Sequence, residues 1–244
     1  MKFPDITTPT YEVQLLFRKK PVKFRPFLVK EQKLMLIAVE SKDPIETVKI
    51  LKQVAKNCII DEDVNVEELP YVDLEKLFLN FRARSMGEVV DVHFKCRHEI
   101  TDEAGNTKEC GMIMQIPVNL LEVPIVNNDI DSKIMITEKI GVQMKIPTFE
   151  LMESMLEDGD SYGDFKTIAQ CVEYVFDENG VYYAKDATLD EMIDFLINLP
   201  PDKYEKLEKF FEKLPKVKKE LNHICGKCKH NHNLVLEGLG DFFI

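Results

Sequence analysis

The chain has 244 residues, of which 45% are apolar and 31% charged, close to globular averages and long enough to bury a real core. A formal net charge of −11 disfavours nonspecific attraction to nucleic acid or to an anionic membrane. No run approaches the roughly 18 apolar residues of a bilayer span, and Met1 to Thr10 lacks the basic-then-apolar order of a secretory signal, so a cytosolic chain is expected.

Val13, Leu15 and Phe17 fall at alternating positions, the period of a strand with one buried face. From Lys30 to Glu40 the apolar residues Leu34, Leu36, Ile37 and Val39 predict a well-buried helix. A second helix starts at Asp43 as its cap, with Pro44 at the first helical position and Glu46 at capping-box spacing. Its inner stripe reads Ile45, Val48, Leu51 and Ala55. A third begins at Asp73 and carries Leu74, Leu77, Phe78 and Phe81 on one face. These three helices are expected to pack as one unit.

The period then shortens. Val89–Cys96 and Met112–Val118 read as strands joined by a polar loop, His98–Glu109, and Lys133–Ile146 reads as a hairpin turning near Gly141. Helices follow at Thr148–Leu156 and Asp164–Tyr174. Glu178-Asn179-Gly180 predicts a hairpin turn of positive φ. Thr188 with Glu191 makes a capping box for a helix with Leu189, Met192, Ile193 and Leu196 inward. After Pro200-Pro201 comes a helix carrying Leu207, Phe210, Phe211 and Leu214, and then a strand-like apolar end, Leu234 to Leu236 followed by Gly238-Leu-Gly-Asp-Phe-Phe. With no repeat and no linker, the expectation is one α+β domain over 1–244. It divides into strand plus helices (1–86), strands (87–147), helices (148–215), and a cysteine knuckle with a terminal strand (216–244).

In a cytosolic chain six cysteines are read as buried thiols or metal ligands rather than disulfides. Cys225-Gly226-Lys227-Cys228 has the spacing with which two thiolates chelate one zinc ion from a tight turn, Gly226 letting the backbone approach the ion. One such pair is half a site. Cys96 and Cys110, at the facing ends of the two middle strands, are the candidates for the other half, so that two hairpins clasp one structural Zn²⁺ like a zinc ribbon. Their separation is far longer than the usual C-x₂₋₄-C, and His98, His223, His230 or His232 could replace a thiolate. Cys58 and Cys171 sit in helical patterns and read as core.

Catalytic readings fare worse. A redox role for the Cys225/Cys228 pair needs a helix after it, and a polar turn follows instead. Gly159-Asp-Ser161-Tyr-Gly163 matches G-x-S-x-G, but a helical pattern stands where a strand should precede the serine. No phosphate loop, dinucleotide turn or H-E-x-x-H helix is present. Nine lysines lie between Lys203 and Lys229, which beside a zinc ribbon suggests nucleic acid. Glu205, Glu208, Glu212 and Glu220 interleave with them at helix-pair spacings, and no arginine is there to read bases, so a solvated helix surface is preferred.

Four sets of residues also carry a resemblance. Arg25-Pro-Phe-Leu-Val-Lys-Glu-Gln-Lys-Leu-Met-Leu, Asn57-Cys-Ile, Leu69-Pro-Tyr-Val-Asp-Leu followed by Phe81-Arg-Ala-Arg-Ser-Met-Gly-Glu, and the end Phe210-Phe-Glu-Lys-Leu-Pro with the Cys225/Cys228 knuckle and Leu236-Glu-Gly-Leu-Gly-Asp-Phe-Phe resemble the T4-like baseplate protein family of contractile-tailed bacteriophages. The resemblance implies a non-catalytic hub subunit or hub assembly factor. It would be partnered by other hub and tail proteins, without a small-molecule substrate, nucleic acid or membrane, in the tail baseplate of the virion or in host cytoplasm during assembly. A viral zinc-ribbon module binding nucleic acid is the alternative.

Overall fold

A computed structural model describes residues 6–101, 105–127, 129–158 and 163–243. The chain opens with β1 (Tyr11–Val13), which pairs antiparallel with β2 (Val22–Phe24) and turns Val13, Val22 and Phe24 inward. The alternation read at Val13–Leu15 is a buried face, but Phe17 is exposed because the strand has already ended.

Three helices follow: α1 (Val29–Glu40), α2 (Pro44–Cys58) and α3 (Tyr71–Met86). Asp43 caps α2 by accepting from the Ile45 amide at 2.9 Å, with Pro44 at the first position. Glu46 does not close a capping box; its carboxylate accepts from the Ser41 hydroxyl. Helix α3 starts at Tyr71 rather than Asp73. Asp73 is buried, and its carboxylate accepts from the amides of Leu16 (2.7 Å) and Phe17 (3.1 Å), tying the N-terminal turn to the helix. The expected packed unit is present: Leu74, Leu77, Phe78 and Phe81 meet Phe24, Met35, Leu51, Val54 and Ala55 in one core.

Helix α1 departs from expectation. Its buried residues are Glu31, Met35 and Ala38, whereas Leu36, Ile37 and Val39 are 57%, 48% and 58% exposed. A charged residue takes the inward place because Glu31 has partners there, namely Arg25 at 3.0 Å and the Leu28 amide at 2.9 Å. Burial alone would raise this carboxyl, but those bonds outweigh it and hold the group below its ordinary pKa.

The middle of the chain is built from β3 (Val89–Lys95), β4 (Glu99–Thr101), β5 (Thr107–Glu109) and β6 (Ile113–Asn119). β3 pairs with β6 from Val89↔Asn119 to Lys95↔Ile113. The segment read as a loop continues the arm, since β4 pairs with β5. Short β7 (Ile125–Val126) leads to the hairpin of β8 (Lys133–Met135) and β9 (Gly141–Met144), whose turn ends just before Gly141.

Helices α4 (Phe149–Asp158) and α5 (Gly163–Cys171) come next. α5 stops at Cys171, and β10 (Val172–Phe176) takes over residues read as helix because β9 offers an edge to pair with. β10 and β11 (Val181–Tyr183) complete the sheet order β11-β10-β9-β8. Their turn does not use positive φ at Asn179 or Gly180. The Asp177 carboxylate instead accepts from both of those amides, at 2.8 and 3.0 Å. The Thr188–Glu191 capping box opens α6 (Leu189–Ile197), with Met192 and Leu196 buried but Leu189 exposed. α7 (Pro201–Glu212) buries Leu207 and Phe210.

β12 (Lys216–Ile224) and β13 (Asn231–Glu237) form the last hairpin, with β7 on the outer side of β12. The lysines between 216 and 224 are therefore on a strand, not a helix. Their pairs are of a different kind, Lys216 to Glu237 across the hairpin and Lys218 to Glu220 along it. The end is a 3-10 turn at Gly240–Phe242 rather than a strand. Phe242 is buried and Phe243 packs against Phe78, while Ile244 lies outside the described residues.

Candidate metal centre

The two long hairpins meet at their cysteines. Cys96 directly follows β3 and Cys110 directly follows β5, so they face each other where the β3–β6 arm passes into the β4–β5 tip. Backbone bonds fix that joint: Cys96 N to Met112 O at 2.8 Å, Gly111 N to Cys96 O at 3.0 Å, and Cys110 N to His98 O at 2.8 Å. Gly111 takes φ +69, the left-handed turn that lets β6 resume after Cys110. On the other arm Cys225-Gly-Lys-Cys228 forms the turn between β12 and β13, closed by Lys229 N to Cys225 O at 3.0 Å and Cys225 N to His230 O at 2.9 Å. The left-handed residue of this turn is Lys229, at φ 62, not Gly226, where a side-chain carbon would come within 3.4 Å of the Met112 methyl of the opposite hairpin.

The result is a cluster of four sulfurs, all within 4.8 Å of one another, from Cys96, Cys110, Cys225 and Cys228. Cys96 lies 3.6 Å from Cys228 and Cys110 lies 3.8 Å from Cys225. Four thiolates at the usual Zn–S distance in a tetrahedron would stand about 3.8 Å apart. Both measured cross-hairpin pairs match that edge, and neither approaches the S–S length of a disulfide. Cys96, Cys110 and Cys225 are buried and Cys228 is half-buried, in a small core with Met114, Phe94 and Ile100.

Amides aimed at sulfur favour charge on one member of this set, Cys225. The amides of Cys228 and then Lys227 draw the Cys225 thiol down to about 6. Burial pushes Cys96 up to about 12 against the pull of the His98 amide. For Cys228 the His230 amide lowers the pKa, but burial and the Cys225 thiol leave it raised. Four thiols so close repel one another's ionisation, and a divalent cation is the chemistry that lets all four carry charge. The donor set, its spacing and its amide bonds fit a soft, tetrahedral ion.

The histidines surround the sulfurs. His232 Nε2 lies 3.2 Å from Cys96 Sγ, and His98 stacks on His230 with ring centroids 4.1 Å apart. His223 pairs with His232 across the hairpin register. Cys58 and Cys171 lie apart as fully buried core thiols, each pushed up to about 12 by burial. Ser161 lies outside the described residues, but the element before it is α4, a helix, where a nucleophile elbow needs a strand. The Cys225–Cys228 turn joins two strands, which is not the helix N-terminus of a redox pair. The role of Lys227 was not legible in the sequence. Its ammonium donates to the Cys110 carbonyl at 2.8 Å, bonding one hairpin to the other beside the sulfurs, and only the fold brings them together.

Fold and site together define an α+β protein whose two long hairpins are brought together at a four-cysteine cluster. Over residues 8–244, essentially the whole chain, the sequence matches the family described as T4 bacteriophage base plate protein, and the chain belongs to that family. It is accordingly a phage baseplate component, from a family whose role is structural. No curated protein and no solved structure matches it.

Proposed function

We propose that the chain is a subunit, or an assembly factor, of the baseplate hub of a contractile phage tail, and that it acts by contact with other hub and tail proteins without transforming a substrate. The match over residues 8–244 carries this reading. The surface supports it. Val29 and Leu36 share a face of α1 with Val39 beside them, all more than half exposed, an apolar stripe of the kind that marks a protein contact. Its place is the virion's tail baseplate, or host cytoplasm while tails are built. Among the described residues no helix is long and apolar enough to cross a membrane.

In this reading Zn²⁺ is a structural cofactor held by Cys96, Cys110, Cys225 and Cys228, stiffening a strand region with little core of its own. The ion would bind the two hairpins into one rigid surface and take no part in a reaction. The chain 1–244 is read as a single domain. Nucleic-acid binding is the weaker reading, since Lys216 and Lys218 of β12 are paired with carboxylates at 2.7 and 2.8 Å. Deletion of the gene tests the function: tails are expected to stall before a complete baseplate, and mass spectrometry of mature particles separates a retained subunit from an assembly factor. Assembled, infective tails without the gene would end the proposal.

A further inference from the structure

Between the β10–β11 hairpin and α6 the surface sinks into a cavity of about 320 Å³. Ile140, Val175, Met192 and Phe195 give it apolar walls. Tyr182 and Tyr183 also line it, and they are 55% and 47% exposed on the edge strand of the sheet. Two carboxylates complete the lining, those of Asp177 and Glu191. Their hydrogen-bond partners are amides and hydroxyls: Asn179, Gly180 and Tyr182 for the first, Thr188 for the second. Such donors stabilise the ionised form and do not cancel its charge.

The surroundings extend this field. From Glu173 to Asp194 the sequence holds seven carboxylates and one lysine, over half of the chain's net charge of −11. Lys139 of the neighbouring hairpin pairs with Glu178 at 3.0 Å, which leaves the face negative. A phosphate or other anion is repelled here. What fits is a side chain with an apolar stem and a cationic head, and arginine is the residue that also binds carboxylates and aromatic rings. The rings here accept such a head: Lys185 Nζ already lies 5.2 Å from the Tyr183 centroid.

We infer that this pocket docks an apolar segment of a partner protein bearing an arginine, its stem against Val175 and Phe195 and its guanidinium reaching Asp177 and Glu191. The inference rests on the reading that the chain acts by protein contact, and adds the chemistry of one partner.

The test is a titration of the purified full-length chain, followed by nuclear magnetic resonance, with the peptide acetyl-Val-Arg-Val-amide. Saturable shifts are expected at the Met192 methyl and the Tyr182 and Tyr183 rings. Affinity should fall about tenfold when glutamine replaces the arginine, and about fivefold when salt rises from roughly 0.05 to 0.3 M. Tyr182→Ala should weaken binding while leaving the rest of the spectrum in place. So should the pair Asp186→Lys and Asp190→Lys, which removes most of the segment's negative charge without touching the lining. No saturable shift at these residues, equal binding of the glutamine peptide, or the same shifts from a duplex DNA oligonucleotide would each overturn the inference. The titration involves no phage particle. Infective tails without the gene would sink the baseplate reading and leave this one standing, while a silent titration sinks this one alone.

Discussion

At the scale of single residues, two buried acids of α3 show how environment decides what a carboxyl does. Asp73 is raised by burial and eased by two amides, and its place is structural. Glu75 is nearly as buried but has one weaker bond, from the Val217 amide at 3.4 Å, and Glu237 repels it. Burial dominates and lifts its pKa from 4.5 to about 7. In the unfolded chain the group ionises near 4.5, so between 4.5 and about 7 the native state holds the extra proton. Its contribution therefore worsens as pH rises through that window and stays unfavourable above it. Glu75→Gln cannot ionise, and the glutamine oxygen can still accept from Val217. The variant should be about 1–3 kcal/mol more stable than the parent at pH 8 and nearly equal to it at pH 4.5. Denaturant curves of both proteins at the two pH values check this; an equal gap at each would show that Glu75 is already ionised in the fold. Neither acid's burial was legible in the sequence, where Asp73 reads as a helix start, because the amides that occupy it lie 56 and 57 residues away.

At the scale of elements, what was legible was what depends on neighbours in sequence. The Asp43 cap and the Thr188–Glu191 box form as spacing requires, and the stripe of α3 is buried where the helical period places it. The C-x₂-C turn and the two strand ends that could complete it were also visible, because Cys96 and Cys110 close the same arm. What failed needed a distant partner. β10 was read as helix until β9 supplied its edge, and β12 hid behind charges that mimic helix spacing. α1 looked fully buried because nothing in its own residues says how many of its faces will be covered. The cysteine clasp is where element-scale energetics can be measured. If Zn²⁺ joins the two hairpins, its removal leaves four close thiols around a small core of Met114, Phe94 and Ile100. Elemental analysis should find about one zinc per chain, and Cys225→Ser should lower that occupancy. Because metal-binding energy is folding energy in such sites, chelation or the substitution should cost about 3 kcal/mol or more. Full stability without metal would reduce the cluster to packed thiols.

At the scale of the whole molecule, the question is whether several apolar cores act as one. α3 has two buried sides. Leu74, Leu77, Phe78 and Phe81 face the helical core, while Val72, Leu79 and Ala83 join Val90, Val118, Val217 and Phe242 beneath the hairpins. Loss of either side removes the helix from the other. The remaining core, under the β8–β11 sheet with α5, α6 and α7, is linked through the start of α4. Phe149 is buried in the helical core, yet two residues later Leu151 packs on the sheet's core. The link is reinforced by amide bonds from Phe149 to Leu69 and from Glu150 to Glu67, and by Lys52 with Glu153 at 2.8 Å. Such shared elements couple the cores, so denaturant should unfold them in one transition. The chain has no tryptophan, and four of its seven tyrosines, Tyr174, Tyr182, Tyr183 and Tyr204, lie in or beside the sheet's core. Tyrosine fluorescence therefore reports mainly that region, whereas far-ultraviolet circular dichroism weights the helices α1 to α7 together. The two signals should give coincident midpoints, and Phe149→Ala, which removes the ring anchoring α4, should cost about 3–5 kcal/mol and draw the midpoints apart. Separate midpoints in the parent protein would mean that the sheet with α5–α7 is a domain of its own, held to the helical core by a contact too weak to couple them.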